Sequence, residues 1–504
     1  MSLKMKTLPA LLLCVASVVA AAQTIAAAEI NVTETRSPSG DSEIRVTDPQ
    51  GNVTAAYKVN LSTHHHPATG PDDPIIREWE SWKYGAFVCF NSNQFDGREI
   101  DQSKSPIIYN PRQLDVEQWV STFKTAGMDH AVLTVRHTSG FLLWDSPTSE
   151  HDVGNSGNTT DVVKSYTEEC RRQGLRPGIY YCLWGGQFNP HPNARALILA
   201  QLHELATQYG PIPYFWIDMG NWKPANLSIQ EIYDSLKNAN PRTVVLFNQH
   251  IQDGAQIRYF PTDVLDGELT LPPAKGHNLL RKVGQRAYYL PFELNTTSQQ
   301  RAGRPSWFTY AAGKEFAPSR PYPVATLNAT IRLAYARGAG HVLLACAPDY
   351  TGRMRDADVE QLIELGRMLK APGPVSLGGK AAASGIWPEP RLGPELAFDG
   401  NPATRWGGAP DTKDGWLAVD LGKPKTFSRL CVNEGWDRVR KFELQIQKDG
   451  QWQTIHTGTT IGENFSAAFK PVTAQHVRLN ILEATDVPTI WEVQLFAPGR
   501  LPKR

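Results

Sequence analysis

"PYFWIDMGNW", residues 213–222, decides how this chain is read. From Tyr214 to Asp218 four large apolar or aromatic side chains run into a carboxylate. An apolar run of this length without alternation is a strand buried on both faces, as in a parallel sheet. An acid has no packing use at the end of such a strand. In a barrel of parallel strands the C-terminal strand ends line the active-site mouth, so Asp218 reads as chemistry rather than as a solubilising stop.

Seven further runs of the same kind flank it: Ala86–Phe90, Ala131–Val135, Gly178–Leu183, Val244–Asn248, Asp263–Leu269, Tyr288–Leu294 and His341–Ala347. Helix-like stretches separate several of them, at Val116–Ala126, Asp161–Gln173, Ala194–Gln208 and Ala325–Arg337. Eight apolar runs joined by helical crossovers predict the α/β class, a TIM-like (β/α)8 barrel over residues 75–372. Ala371-Pro372-Gly373-Pro374 is a linker signal. Beyond it, "WLAVDLG", "KFELQIQKDG", "QWQTIHTG" and "HVRLNIL" alternate with period two and predict an antiparallel β-sandwich over residues 373–504. Residues 23–74 read as a small strand-rich extension packed on the barrel.

Lys4 and Lys6 precede an apolar run from Leu8 to Ala22 with small-residue cleavage sites, the pattern of a secretory signal peptide over residues 1–22. The expectation is an exported protein, periplasmic or extracellular, with no membrane insertion. Lys+Arg at 51 against Asp+Glu at 50 leaves a net charge of +1, which gives no footprint for nucleic acid. Apart from Cys14 in the leader, the scattered Cys89, Cys170, Cys182, Cys346 and Cys431 are not a disulfide framework and read mostly as buried thiols. The run His64-His65-His66 is a poor metal site, because neighbours in an extended chain point different ways. Nothing in the sequence sets the oligomeric state.

Four of the proposed strands carry polar chemistry near their ends: Arg136 and His137 after the second, Asp218 on the fourth, Asp266 and Glu268 on the sixth, Glu293 on the seventh. Trp144, Tyr181, Trp184, Trp216, Trp222 and Trp307 crowd them. Two carboxylates from different strands in an aromatic mouth are what glycoside hydrolysis needs. One attacks or stabilises the anomeric carbon, and the other, with a raised pKa, protonates the departing oxygen. The competing reading is that these acids cap loops or pair with arginines.

The segments "WKYGAFVCFNSNQF", "FKTAGMDHAVLTVRHTSGFLLWDSPTS", "DVVKSYTEECRRQGLRPGIYYCLW", "YGPIPYFWIDMG", "PSWFTY" and "GHVLLACAPDYTGRM" resemble, in order, the motifs of the α-L-fucosidases of glycoside hydrolase family 29. The C-terminal region resembles the galactose-binding-like, jelly-roll domain, of the F5/8 type C kind, that follows the barrel in the α-1,3/4-acting branch. "AFDGNPATRW", residues 397–406, is similar to the loop that holds a structural Ca²⁺ in such sandwiches, with Asp399 as a side-chain ligand. No cofactor for catalysis is implied.

The resemblance implies a secreted, retaining exo-glycosidase that releases terminal α-L-fucose, α-1,3- or α-1,4-linked, from a fucosylated oligosaccharide or glycoconjugate. Asp218 takes the nucleophile's place. Glu268, in "DGE", is preferred as acid/base over Glu293, in "PFELN". His137, Arg136, Tyr181, Trp184 and Trp307 are the implied sugar contacts, and Cys89 stands where the family has its first-strand His. Three more positions depart from the pattern: Thr138 replaces the second of paired histidines, Ser139 an Asp, and Met219 the Gly after the nucleophile. Fewer polar donors open two alternatives, a related glycosidase with an altered −1 sugar and a catalytically weak glycan-binding protein. Asn91 and Asn93 are the neighbours that could replace the lost donors.

Overall fold

A computed structural model describes residues 30–98, 100, 105–185, 191–250, 256–273, 278–310, 317–389 and 391–498. The expected signal peptide, residues 1–22, lies outside the described residues.

Eight parallel strands form the centre: Tyr84–Val88 (β1), His130–Arg136 (β2), Arg176–Cys182 (β3), Tyr214–Asp218 (β4), Val244–Phe247 (β5), Leu265–Glu268 (β6), Phe292–Thr297 (β7) and Ala339–Ala345 (β8). They run in the order β5-β4-β3-β2-β1-β8-β7-β6. The two ends meet at a parallel bridge between Leu246 and Val264, where Asp263 N–H donates to Val245 O at 2.8 Å and the Asp263 carboxylate accepts from Val245 N–H. The result is a nearly closed barrel.

Every residue of β1, β2, β4 and β5 is buried, which is why these runs do not alternate in the sequence. The pleat still sorts them. Phe87, Val132, Tyr180, Trp216, Leu246 and Leu343 fill the barrel interior, while Ala86, Leu133, Tyr181, Phe215, Ile217 and Val245 face the surrounding helices.

Those helices are Val116–Thr125, Val162–Gln173, Ala194–Thr207, Ile229–Ala239, Val324–Ala336 and Asp356–Lys370. Their starts are set locally: Asp115 and Asp161 accept from Gln118 and Lys164 N–H, and Ser228 with Glu231 forms a capping box.

The seventh strand differs from its sequence reading. The run Tyr288–Leu294 splits at Pro291, which has no N–H to give a ladder. Arg286–Tyr289 pairs antiparallel with Leu280–Val283 in a separate hairpin, and β7 begins only at Phe292. Glu293 is therefore the second residue of its strand, not its end.

Three antiparallel strands, Asn31–Arg36, Ser42–Thr47 and Val53–Val59, pack on the helix Ala194–Thr207. The Tyr57 hydroxyl donates to Glu204 and Arg195 Nε to Glu34 at 3.1 Å. His64 Nδ1 lies 2.8 Å from Asp234 and His65 Nε2 2.8 Å from Asn238, so this histidine run ties the extension down. No group of three or more His, Cys, Asp or Glu side chains suited to a metal occurs among the described residues. Cys89, Cys170, Cys182, Cys346 and Cys431 are buried thiols, none of them in a disulfide.

The C-terminal domain is a seven-stranded antiparallel sheet. Its two 20-residue strands, Gly415–Glu434 and Phe465–Ala484, break register with each other between Asp420 and Lys425 and again between Phe427 and Arg429. Such breaks let one strand serve both layers of a sandwich. Arg429 pairs with Glu364 at 2.9 Å and Asn433 donates to Thr326 Oγ1 at 2.9 Å, joining it to the barrel helices. Among the described residues no helix is long and apolar enough to cross a membrane.

Candidate active site

The barrel mouth gathers Asp218 from β4 and Glu268 from β6. Asp218 is only 8% exposed. Its Oδ2 accepts from the Tyr180 hydroxyl at 2.6 Å, and its Oδ1 from Met219 N–H at 2.7 Å and Asn248 Nδ2 at 3.0 Å. His250 Nε2 lies 3.1 Å from the same Oδ1. Burial pushes this carboxyl upward, but His250, Tyr180 and Met219 N–H outweigh it and hold Asp218 below the usual carboxylate range.

Glu268 sits one strand away. Its Oε2 accepts from Asn248 Nδ2 at 3.0 Å, so one carboxamide nitrogen contacts both acids. Two oxygens each 3.0 Å from one nitrogen cannot be more than 6 Å apart. Burial, and then the charge of Asp218, push the Glu268 carboxyl up, against the Asn248 hydrogen bond and His250. The two acids are thus driven in opposite directions, Asp218 toward its ionised form and Glu268 toward its protonated form. That division separates a nucleophile from a proton donor.

Glu293 lies elsewhere. In the ladder Asn295 stands opposite Glu268 and Glu293 opposite Asp266, two residues deeper in the barrel. It has no exposed surface and accepts from Tyr214 Oη and Trp216 Nε1, each at 2.9 Å, and contacts His341 Nδ1 at 2.6 Å. Burial raises its carboxyl to about 8 and depresses His341 to about 3, the signature of a neutral buried pair. The expectation that Glu293 faces the mouth is corrected: Pro291 delays the start of β7 and leaves this acid in the barrel floor.

Two sugar contacts are corrected as well. Tyr181 points outward and donates to Gln201 at 2.7 Å behind the barrel; its neighbour Tyr180, on the opposite side of the pleat, faces Asp218. Arg136 has no exposed surface and its guanidinium donates to the carbonyls of Cys182, of Trp184 at 3.0 Å and of Gly185 at 2.8 Å. It braces the loop after β3 instead of reaching the mouth.

The remaining positions do gather. His137 stacks on Tyr180 with centroids 5.8 Å apart, Tyr180 stacks on Trp216 at 5.4 Å, and Phe308 meets His137 edge-on at 5.0 Å. Burial brings His137 down to about 4, so the ring is neutral at ordinary pH. Trp184, Met219 and Trp307 pack, partly exposed, against the interior cluster that contains Cys89. Trp184 also stacks on the exposed Trp222 at 5.1 Å, extending the aromatic surface outward. Cys89 is buried. Asn91 does not replace the lost donors, because its amide is used on the carbonyls of Thr134 and Phe141. Asn93 is buried, its amide donating to Arg98 O at 3.2 Å.

Tyr180, Asn248 and His250 were not singled out from the sequence. Asn248 had a signal, a polar residue directly after the apolar "VVLF" of β5. Tyr180 and Tyr181 are indistinguishable in a strand buried on both faces.

In the sandwich, Asp399 accepts from Asn401 N–H at 2.8 Å and from Thr404 Oγ1 at 3.0 and 2.8 Å. Glu492 lies beside it, buried, with no hydrogen-bond partner for Oε1. Burial, and then Asp399, push the Glu492 carboxyl well above its ordinary range. Two adjacent acids with an orphaned oxygen fit a hard cation with oxygen ligands.

Comparison with known proteins places this geometry. Residues 61–374 match the family model described as Alpha-L-fucosidase, and residues 380–493 that of the F5/8 type C domain. The chain is 23% identical over 453 residues to Alpha-L-fucosidase 1 of Arabidopsis thaliana, covering 83% of this chain and 86% of that protein. It is 26% identical over 167 residues to the α-L-fucosidase of Dictyostelium discoideum, 29% of this chain and 35% of that one. Its fold is similar to a Ruminococcus gnavus family 29 fucosidase solved in complex with fucose, with a TM-score of 0.51 at 19% identity over 88% of this chain and 98% of that one. It is likewise similar to a glycoside hydrolase 29 family member from an unknown rumen bacterium, with a TM-score of 0.51 at 22% identity over 87% and 79% of the two chains. The structures speak for the fold, and the family model, which spans well over half the chain, speaks for the lineage. With the acids of β4 and β6 meeting at the barrel mouth, the chain belongs to the α-L-fucosidase family, glycoside hydrolase family 29, and carries an F5/8 type C domain behind its barrel.

Proposed function

We propose that this chain releases terminal α-L-fucose from glycans by a retaining double displacement. The observation that carries the reading is the single Asn248 nitrogen 3.0 Å from both Asp218 and Glu268. It keeps the two facing carboxylate oxygens within 6 Å of each other, which supports the close 5–5.5 Å arrangement of retaining enzymes over the 6.5–9.5 Å that admits a water for inversion. Asp218 attacks the anomeric carbon and forms an ester as the glycosidic C–O bond breaks. Glu268 gives its proton to the departing oxygen. In the second half, Glu268 takes a proton from water, whose oxygen displaces Asp218. Tyr180 orients the nucleophile throughout, and the neutral His137 beside it is a donor or acceptor for a sugar hydroxyl.

The finer points of the proposal rest on the sequence. An α-1,3- or α-1,4-linked substrate is supported by the "DGE" segment at Glu268, and export by the leader-like residues 1–22. A structural Ca²⁺ held by Asp399 and Glu492 is supported by the orphaned Glu492 oxygen. The sandwich adds a pocket of about 530 Å³ lined by Trp387, Arg405, Trp436 and Arg438, with Trp436 63% exposed, suited to holding a glycan.

One observation favours a second reading, a changed −1 sugar. Cys89 is buried and apolar in its surroundings, and Asn91 is already satisfied, so the replaced histidine donors are not restored. A panel of aryl glycosides tests both readings, with Asp218→Asn as the control and the anomer of first-formed product read by NMR. Release of α-fucose supports the first reading. Release from a different glycoside supports the second, and an inverted product overturns the double displacement.

A further inference from the structure

Directly after β5 the chain reads Asn248-Gln249-His250, and its side chains are arranged as one unit. The Asn248 nitrogen donates to both carboxylates, while its oxygen accepts from His250 N–H at 2.9 Å. That bond holds His250 with a φ of 50°, in the left-handed region that a side chain seldom occupies. The conformation aims the imidazole back at the acids. Nε2 comes to 3.1 Å from Asp218 Oδ1, an ion-pair contact without the alignment of a hydrogen bond, and Nδ1 to 3.9 Å from Glu268 Oε2. Among the described residues, the titratable groups facing this ring are Asp218 from β4 and Asp266 and Glu268 from β6, all acids. Burial opposes a charge on the ring, and the surrounding carboxylates raise it above the ordinary histidine value.

We propose that Asn248 and His250 form a positioning pair for the two acids: the Asn248 carboxamide fixes their separation, and His250 carries a proton as the counter-ion of Asp218. This rests on Asp218 and Glu268 being the reacting pair. When Asp218 attacks, its charge is consumed in the ester bond, and Glu268 becomes anionic as its proton leaves with the glycosidic oxygen. The His250 cation lies within reach of both acids, so the negative charge moves from one of its partners to the other and is never left uncompensated. Neither residue touches the breaking bond.

Two measurements on the full chain test the pair. In ¹⁵N-histidine-labelled protein, the His250 signal, identified by its loss in His250→Gln, titrates above 6.5 and falls by about one unit in Asp218→Asn. An unchanged midpoint between the two proteins overturns the counter-ion role. This readout needs no turnover, so it decides even if no fucoside is cleaved, a failure that falls on the proposed activity alone.

The second measurement is the pH profile of kcat/KM on an aryl α-L-fucoside. His250→Gln moves the acidic limb upward by about one unit, and His250→Arg, which keeps the charge, returns it. A His250→Gln profile that is only scaled down overturns the proposal. Asn248→Ala lowers kcat by about 100-fold with KM little changed, the cost of a misplaced reacting group. A change below about threefold in a folded variant removes Asn248 from the pair.

Discussion

The Tyr180 hydroxyl donates to Asp218 Oδ2 at 2.6 Å from the strand next to it. A hydrogen bond to the charged form favours that form, so Tyr180 is one reason Asp218 stays ionised despite its burial. Tyr180→Phe is expected to raise the Asp218 pKa and move the acidic limb of kcat/KM upward, with kcat/KM at the optimum lower by roughly 10- to 100-fold. Tyr181→Phe, one residue on, removes a bond to Gln201 behind the barrel. It should cost about 1 kcal/mol of stability and leave the pH profile in place. Equal pH profiles for the two variants would show that the pleat has been misread.

That contrast shows where the sequence stops. The barrel was legible because its apolar runs are long enough to be strands and are separated by capped helices. Which side chain of a run faces inward was not, since a strand buried on both faces has no polar alternation to read. Tyr181, the contact that the resemblance implies, and Tyr180 therefore read alike in the sequence. Glu293 failed differently. The apolar run Tyr288–Leu294 crosses Pro291, and only the Leu280–Val283 partner shows that its first half belongs to a hairpin. Asp218 stood out because it closes an apolar strand, whereas Glu268 was preferred through the resemblance of its "DGE" segment. Asn248 had a signal in its place after the apolar run of β5, but His250 is aimed at the acids by a left-handed turn that no local pattern marks.

The buried Glu293–His341 pair makes stability depend on pH on both sides of a plateau. Glu293 titrates near 8 when folded, against 4.5 as its ordinary value, so above 4.5 the folded chain holds a proton that the unfolded chain has released. Stability from this group is complete below 4.5 and is lost as pH rises through 8. His341 is depressed to about 3 from 6.5, so the unfolded chain binds a proton that the folded chain refuses, and stability falls as pH drops from 6.5 toward 3. Between 4.5 and 6.5 the two slopes cancel. Thermal unfolding should therefore show a Tm that declines from pH 6.5 to 8. Glu293→Gln should flatten part of that decline, with Asp266, raised to about 8 by burial, supplying the rest. A variant whose decline matches the parent's rules Glu293 out as its source.

Met219 follows Asp218 with a φ of 58°, and Leu269 follows Glu268 with a φ of 55°. Both acids are thus followed by a side-chain-bearing residue in a conformation that costs roughly 1–2 kcal/mol for anything but glycine. This gives a physical account of the glycine that family members carry after the nucleophile, and of the strain accepted here in its place. Met219 also packs on the interior cluster, so removing its side chain has a packing cost that must be separated from the backbone effect. Comparing Met219→Ala with Met219→Gly does so. The glycine variant should be the more stable by about 1 kcal/mol in urea unfolding, the reverse of the order in a helix interior. An alanine variant at least as stable as the glycine one refutes the strain.

The sandwich carries the last prediction. Asp399 and Glu492 sit side by side, and Glu492 is 4% exposed with an oxygen that nothing donates to. Without a cation, burial and then the neighbouring Asp399 drive the Glu492 carboxyl well above its ordinary range. With Ca²⁺ both acids ionise and the orphaned oxygen gains a ligand bond. A ligand that binds only the folded chain stabilises it by mass action, about 2.7 kcal/mol at a hundredfold excess over Kd. Calcium added to chelator-treated protein at pH 7 should raise the Tm of the sandwich transition. The gain should shrink as pH falls, because protons compete for Glu492. Glu492→Gln should lose the calcium response while unfolding near the Tm of the metal-free parent. The barrel's turnover should not change in either case, since Asp399 lies in a separate domain from Asp218. A calcium-dependent kcat with an unmoved Tm would place the metal somewhere other than this pair.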